Sequence, residues 1–150
     1  MTTDQYPGVH MYRRVVRAKL FIDNNYHGPI NVDNIADEAY FSKFHFIRLF
    51  KSVYGKTPNQ YLMAVRIAKA KELLQVEKSV SEACSSVGFE SLSSFSGLFK
   101  KVTGSTPSVF LKQHQEAKKA RKKAPLKFVP GCFISNNGWD ENSNFREMTQ

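Results

Sequence analysis

Residues 42–62 read SKFHFIRLFKSVYGKTPNQYL, and 49 positions later residues 91–111 read SLSSFSGLFKKVTGSTPSVFL. Ten of the 21 paired positions are identical: Ser42/Ser91, Phe46/Phe95, Leu49/Leu98, Phe50/Phe99, Lys51/Lys100, Val53/Val102, Gly55/Gly104, Thr57/Thr106, Pro58/Pro107 and Leu62/Leu111. Two copies are too few for a solenoid, so the repeat indicates one duplicated unit. Phe46, Leu49, Phe50 and Val53 fall at i, i+3, i+4 and i+7, one face of a helix, and Phe95, Leu98, Phe99 and Val102 repeat that face. Each helix runs into a glycine, Gly55 or Gly104, the expected left-handed stop. Thr57-Pro58 and Thr106-Pro107 then supply an N-cap and a proline at the first helical position, so a new helix begins at once. The positions that differ, Lys43, Phe44, Ile47 and Arg48 against Leu92, Ser93, Ser96 and Gly97, lie on the opposite side. A shared inner face with a changed outer face fits one scaffold presenting two surfaces.

Outward from the repeat, the same cues place the remaining elements. Residues 1–8 are polar with Pro7 and Gly8 and read as a loose terminus. A helix is expected over Val9–Asn25, with Met11 or Tyr12, Val15, Ala18 and Ile22 inward, ended by Gly28-Pro29. Asn31 or Asp33 caps a helix over Val32–Tyr40, and Ser42 caps the helix Lys43–Tyr54. This short pair with a tight turn is a helix-turn-helix pattern. A longer helix, Pro58–Gln75, bridges to the second unit. There Ser79 and Glu82 form a capping box, Val80, Ala83, Cys84 and Val87 face inward, Gly88-Phe89 turns the chain, and Ser91 caps Leu92–Thr103. The last helix is expected from Thr106-Pro107 to about Lys119. The fold class is therefore all-α: seven helices, two helix-turn-helix subdomains and a long linker helix, followed by a non-helical C-terminal tail. The boundaries read as 9–56 for the first subdomain, 57–75 for the linker, 76–119 for the second subdomain, and 120–150 for a basic segment and tail.

The 150 residues carry a net charge of +9, which favours an anionic partner, nucleic acid or membrane surface. Seven basic residues against Glu116 in Lys112–Lys127 supply much of that charge, as a solvated tail end or as a phosphate-contacting arm. From Pro125 the composition shifts to Pro, Gly, aromatic and β-branched residues, an extended arm anchored by Phe133 and Trp139 or a disordered end. The two cysteines, Cys84 and Cys132, have no metal-ligand spacing with any histidine and read as reduced thiols of a cytosolic protein. No apolar run is long enough for a bilayer and no leader pattern is present, so membrane attachment is not expected. Paired carboxylates, a Gly-rich phosphate loop, a nucleophile elbow and a metal cluster are all missing from the pattern, so no catalytic residue, metal or cofactor is assigned. His45 is a lone histidine, read as a packing or phosphate contact.

Taken together, Val80–Leu111 and the linker Arg66-Ile67-Ala68-Lys69-Ala70-Lys71-Glu72-Leu73-Leu74 resemble the DNA-binding domain of AraC/XylS-type bacterial transcription regulators. The resemblance covers roughly residues 12–113. It implies that each second helix enters the major groove of double-stranded DNA, the two insertions about one helical turn, ~34 Å, apart on one face. A single chain, acting as a monomer, would then do what other helix-turn-helix proteins do as dimers. It also implies base contacts from Phe44, Ile47 and Arg48, with Arg48 suited to a bidentate contact to guanine and Phe44 and Ile47 to thymine methyls. Burial of Phe44 and Ile47 in the subdomain is the competing reading. In the second unit the matching face offers Leu92, Ser93 and Ser96, with Gly97 where the first copy has Arg48. Larger polar or basic groups are common there in relatives, so the first unit is expected to carry most of the base specificity. Phosphate contacts are expected from Lys43, Lys51, Lys56, Thr57, Ser94, Lys100, Lys101 and Thr106. Arg66 is expected in an internal salt bridge with Asp37 or Glu38. The resemblance implies activation more often than repression, action in the cytoplasm at the nucleoid, and RNA polymerase as a candidate partner. Nothing in the chain is long enough for a separate sensing domain, so either regulation by abundance or sensing by a partner or the tail is expected. The alternative is a basic interaction module that binds an acidic protein without selective DNA binding.

Overall fold

Several helix ends in the chain are satisfied by a capping side chain or a glycine. The computed structural model describes residues 7–123. Among them are seven α-helices and no strand: α1 Pro7–Asn25, α2 Val32–Glu38, α3 Lys43–Tyr54, α4 Pro58–Gln75, α5 Val80–Ser86, α6 Leu92–Thr103 and α7 Pro107–Lys123. Reciprocal capping boxes start three of them. Asn31 pairs with Asn34, Thr57 with Gln60, and Ser79 with Glu82, each accepting one backbone N–H of the other at 2.9–3.2 Å. Ser91 Oγ accepts the Ser94 N–H at 3.3 Å. Ser42 stands at the corresponding position of α3 but its side chain makes no capping bond, against expectation. Gly55 (φ 71°) and Gly104 (φ 86°) close α3 and α6, each donating its N–H to the carbonyl four residues back at 2.8 Å.

The two turns are built alike. Phe41 N–H donates to Ala36 O and Tyr40 N–H to Asp37 O; Phe89 N–H donates to Cys84 O and Gly88 N–H to Ser85 O. This paired pattern needs a left-handed residue, which is Gly88 (φ 87°) in the second turn and Tyr40 (φ 55°) in the first. Consequently α2 ends at Glu38, two residues before the expected Tyr40. α7 continues to Lys123, four residues past the expected end, so the basic run is helical at least that far. Residue 124 onward, including Lys127, Cys132, Phe133, Trp139 and the expected non-helical tail, lies outside the described residues.

Two apolar cores share α4. The first joins Val15, Ala18, Ile22, Ile35, Ala36, Ala39, Phe46, Phe50 and Leu62. The second joins Ile67, Ala70, Leu74, Ala83, Cys84, Val87, Phe95 and Phe99. Matching aromatic chains run through them: Phe46, Phe50 and Tyr61 with ring centroids 5.5 and 5.7 Å apart, and Phe95, Phe99 and Phe110 at 5.7 and 5.5 Å. The repeat identities are thus mostly core identities, each buried phenylalanine contributing roughly 1.5–3 kcal/mol of transfer energy. Val102 departs from the expected face. It is 56% exposed, whereas Val53 packs on the first core. The first core is covered by α1, and among the described residues the second half has no counterpart of that helix. The compact unit that holds both cores ends at Leu111. Among the described residues no helix is long and apolar enough to cross a membrane.

Candidate nucleic-acid interface

Burial of Phe46 and Phe50 fixes the rotation of α3 and decides what its other face offers. Phe44 is 77% exposed, Arg48 is exposed and Ile47 is half-buried. The competing reading, that Phe44 is a core residue, does not hold, and Ile47 is only half-buried. Arg48 makes no hydrogen bond or ion pair among the described residues, so its five donors are open. Lys43 is the exception on this face. Its Nζ lies 3.0 Å from an Asp33 carboxylate oxygen in an exposed pair. Such a pair is worth at most about 1 kcal/mol and yields readily to a phosphate. Lys51 and Lys56 stand exposed beyond it.

The second helix is turned the same way by Phe95 and Phe99. Leu92 is 49% exposed, Ser93 and Ser94 are exposed and Ser96 is half-buried. Ser93 Oγ shares a hydrogen bond with Ser91 Oγ at 3.1 Å, and Ser94 gives its N–H to the cap. Gly97 has nothing within 4 Å of where a Cβ would stand, so α6 presents a shallow, nearly uncharged surface at its middle. Charge returns only at Lys100 and Lys101 in the last turn. At the two threonine-proline starts the threonines are half-buried and already accept backbone bonds: Thr57 Oγ1 from Gln60 N and Thr106 Oγ1 from Val109 N, at 3.2 and 3.4 Å. Each hydroxyl keeps its own proton for an acceptor outside the helix.

Several charged residues are used within the protein. Arg14 donates to Ala39 O at 2.7 Å and covers the Phe41 ring at 3.8 Å, fixing the turn before α3. Arg17 pairs with Glu38 at 2.9 Å. Lys19 and Tyr61 both donate to Asp23, at 2.7 and 2.8 Å, which ties α1 to α4. The Asp23 bond first and the neighbouring Tyr61 hydroxyl next raise the Lys19 pKa, while burial first and then the Asp23 bond raise that of Tyr61. The i, i+4 spacing of Lys19 and Asp23 was the one signal in the sequence for this network. Arg66 corrects the expectation of a salt bridge with Asp37 or Glu38. It is 7% exposed and donates instead to the backbone carbonyls of Tyr26 and Gly28, at 2.7 and 2.8 Å. Glu38 is held by Arg17, and α1 ends where Arg66 can reach the carbonyls beyond it. Burial lowers the Arg66 pKa. His45 is exposed and sits edge-on to Phe41, with ring centroids 5.4 Å apart. Among the described residues no group of three His, Cys, Asp or Glu side chains is placed to hold a metal ion.

Residues 35–113 match the model of a family described as "Helix-turn-helix domain". A regulator from Pseudoalteromonas carrageenovora, named for its place in the cgkA 5' region, is 40% identical over 96 residues, 64% of this chain and 57% of that protein. The bifunctional transcriptional activator/DNA repair enzyme AdaA of Bacillus subtilis is 35% identical over 91 residues, 60% of this chain and 43% of that protein. The chain thus spans about half the length of these curated relatives. Among solved structures, the DNA-binding domain of AdpA, in complex with a target DNA, superposes with a TM-score of 0.66 at 27% identity, covering 75% of this chain and 96% of that one. An AraC-type protein from Chromobacterium violaceum superposes with a TM-score of 0.63 at 27% identity, covering 71% and 96%.

Proposed function

Because the chain belongs to the AraC/XylS-type helix-turn-helix family of transcriptional regulators, we propose that it activates transcription by placing α3 and α6 in successive major grooves of one duplex as a monomer. The observation that carries this reading is the pair of outward faces left open by the four buried phenylalanines, Phe46, Phe50, Phe95 and Phe99. A groove about 12 Å wide admits a helix, and base edges there carry a distinct donor and acceptor pattern. On α3, Arg48 reads guanine through its free fork, and Phe44 and Ile47 meet thymine methyl groups. On α6, Leu92, Ser93 and Ser96 approach the bases with little discriminating power, because a serine bonds several base edges equally well. Lys43, Lys51, Lys56, Lys100 and Lys101, with Ser94 and the hydroxyls of Thr57 and Thr106, hold the phosphate backbone and set the register.

The first half therefore carries most of the sequence specificity, and the second mainly clamps. The proposed role is non-catalytic and is exercised in the cytoplasm at the nucleoid, with RNA polymerase as the protein partner. A duplex selected by the protein from a random pool tests the division of labour. Scrambling the half-site under α3 is expected to cost at least about 100-fold in affinity, and scrambling that under α6 about 10-fold or less. The reverse order would overturn the assignment, and failure to select any duplex would overturn the function.

A further inference from the structure

Three stretches of backbone meet at Arg66. Its Nε and Nη2 donate to Tyr26 O and Gly28 O, in the α1–α2 loop of the first half. Its guanidinium lies 5.8 Å from the centroid of Phe89, which packs on the second core. Next to Phe89, a Cβ on Gly88 would stand 2.8 Å from His27 O and 3.1 Å from Arg66 Nη2. The turn of the second half thus lies directly on the loop of the first, a contact only a glycine permits. Tyr26 is packed against both cores. Beside this joint a groove of about 420 Å³ opens between the halves, lined by Ile30, Met63 and Phe89 and reaching Ser91 and Ser94 at the start of α6. Side-chain packing does not close the halves on that side, so the polar joint bears the alignment there.

We infer that Arg66, with Gly88 against the His27 carbonyl, is an orientation latch that fixes the angle between the two helix-turn-helix halves and so sets the spacing between half-sites that the protein accepts. This rests on the proposed binding of both recognition helices to one duplex. Two coupled modules gain affinity only where their geometry lets both engage. A displacement of one recognition helix by ~3.4 Å puts it one base pair out of register. A single connecting helix, α4, resists such bending on its own less well than when a second strut crosses beside it. Arginine suits the task because its planar fork reaches two carbonyls at once and keeps its charge when buried. A lysine would offer one point charge with no fixed direction. Arg66 touches no DNA in this scheme; it is a positioning residue.

The test uses the full chain, Arg66→Met and Arg66→Lys, with a duplex selected by the unaltered protein from a random pool. Two derivatives are made: one with a single base pair inserted between the half-sites, and one with the α6 half-site scrambled. The unaltered protein is expected to lose about 10-fold on the insertion, as on scrambling, because its fixed geometry then sets α6 on a shifted sequence. Arg66→Met should lose about 10-fold on the selected duplex, stay within about twofold on the single half-site, and suffer less than about threefold from the insertion. Arg66→Lys should move in the same direction. Backbone dipolar couplings of the free proteins give a readout independent of DNA. In the unaltered chain both halves should fit one alignment tensor, and in Arg66→Met they should need two. An insertion penalty unchanged in both variants, equal loss on the single half-site, or one shared tensor in Arg66→Met would each overturn the latch. Failure of the unaltered protein to select any duplex would overturn the DNA-binding reading and the spacing role with it, whereas the couplings report the latch separately.

Discussion

Replacing Arg48 with alanine isolates base reading from folding. Arg48 is exposed and bonded to nothing among the described residues. Alanine is at least as good a helix former, so stability should change by less than about 0.5 kcal/mol. In a DNA complex its fork would meet guanine O6 and N7, a contact worth about 1–3 kcal/mol of discrimination. That corresponds to a loss of about 5- to 150-fold in affinity for the selected duplex. Fluorescence anisotropy at fixed salt measures the loss, with thermal melting as the stability control. The fingerprint matters more than the size. Once Arg48→Ala is made, changing the contacted guanine should cost nothing further, while other base changes keep their penalties. A loss below about twofold, or one uniform across all sequences as a phosphate contact gives, would refute the assignment.

Phe99→Ala should destabilise the protein by about 3–5 kcal/mol, because that ring is fully buried between Phe95 and Phe110; chemical denaturation checks it. Lys100→Ala should leave the sequence preference intact and reduce the slope of log affinity against log salt by about 0.9, seen by titration at several salt concentrations. The Ser79 N–H bond holds the Glu82 carboxyl below the usual range. Its folded pKa is depressed, so the capping contribution is present above the unfolded carboxylate range and is lost as pH falls through the folded value. The Ser79 amide shift should follow that titration by NMR, and Glu82→Gln should abolish it. Burial raises the Cys84 pKa, so alkylation of Cys84 should be slow in the native protein and fast after unfolding, read by mass spectrometry of the modified peptide.

What was legible in the sequence is what recurs as chemistry at fixed spacing. The two phenylalanine pairs, the glycine stops and the threonine-proline starts each satisfy a local physical need, so their positions survive in the structure. The outer faces of α3 and α6 follow from the same helical period. Tyr40 was not legible, because a left-handed tyrosine leaves no compositional mark where the second copy has glycine. Val102 departs because helical period says nothing about which core a further helix covers, and among the described residues α1 has no counterpart over the second. Nearby acids suggest a carboxylate partner for Arg66. Which of several partners an arginine takes depends on where α1 ends in space, and Glu38 was already engaged by Arg17. The basic run after Lys112 has no apolar period to mark its end, so the sequence places the end of α7 four residues short.

The most direct test of paired groove insertion is chemical protection of guanine N7, a major-groove atom, on a selected duplex bound by one chain. Two protected blocks about 10 base pairs apart on one face of the duplex are expected, both present at a stoichiometry of one. A single block, or a second block that appears only when another chain binds, would contradict it.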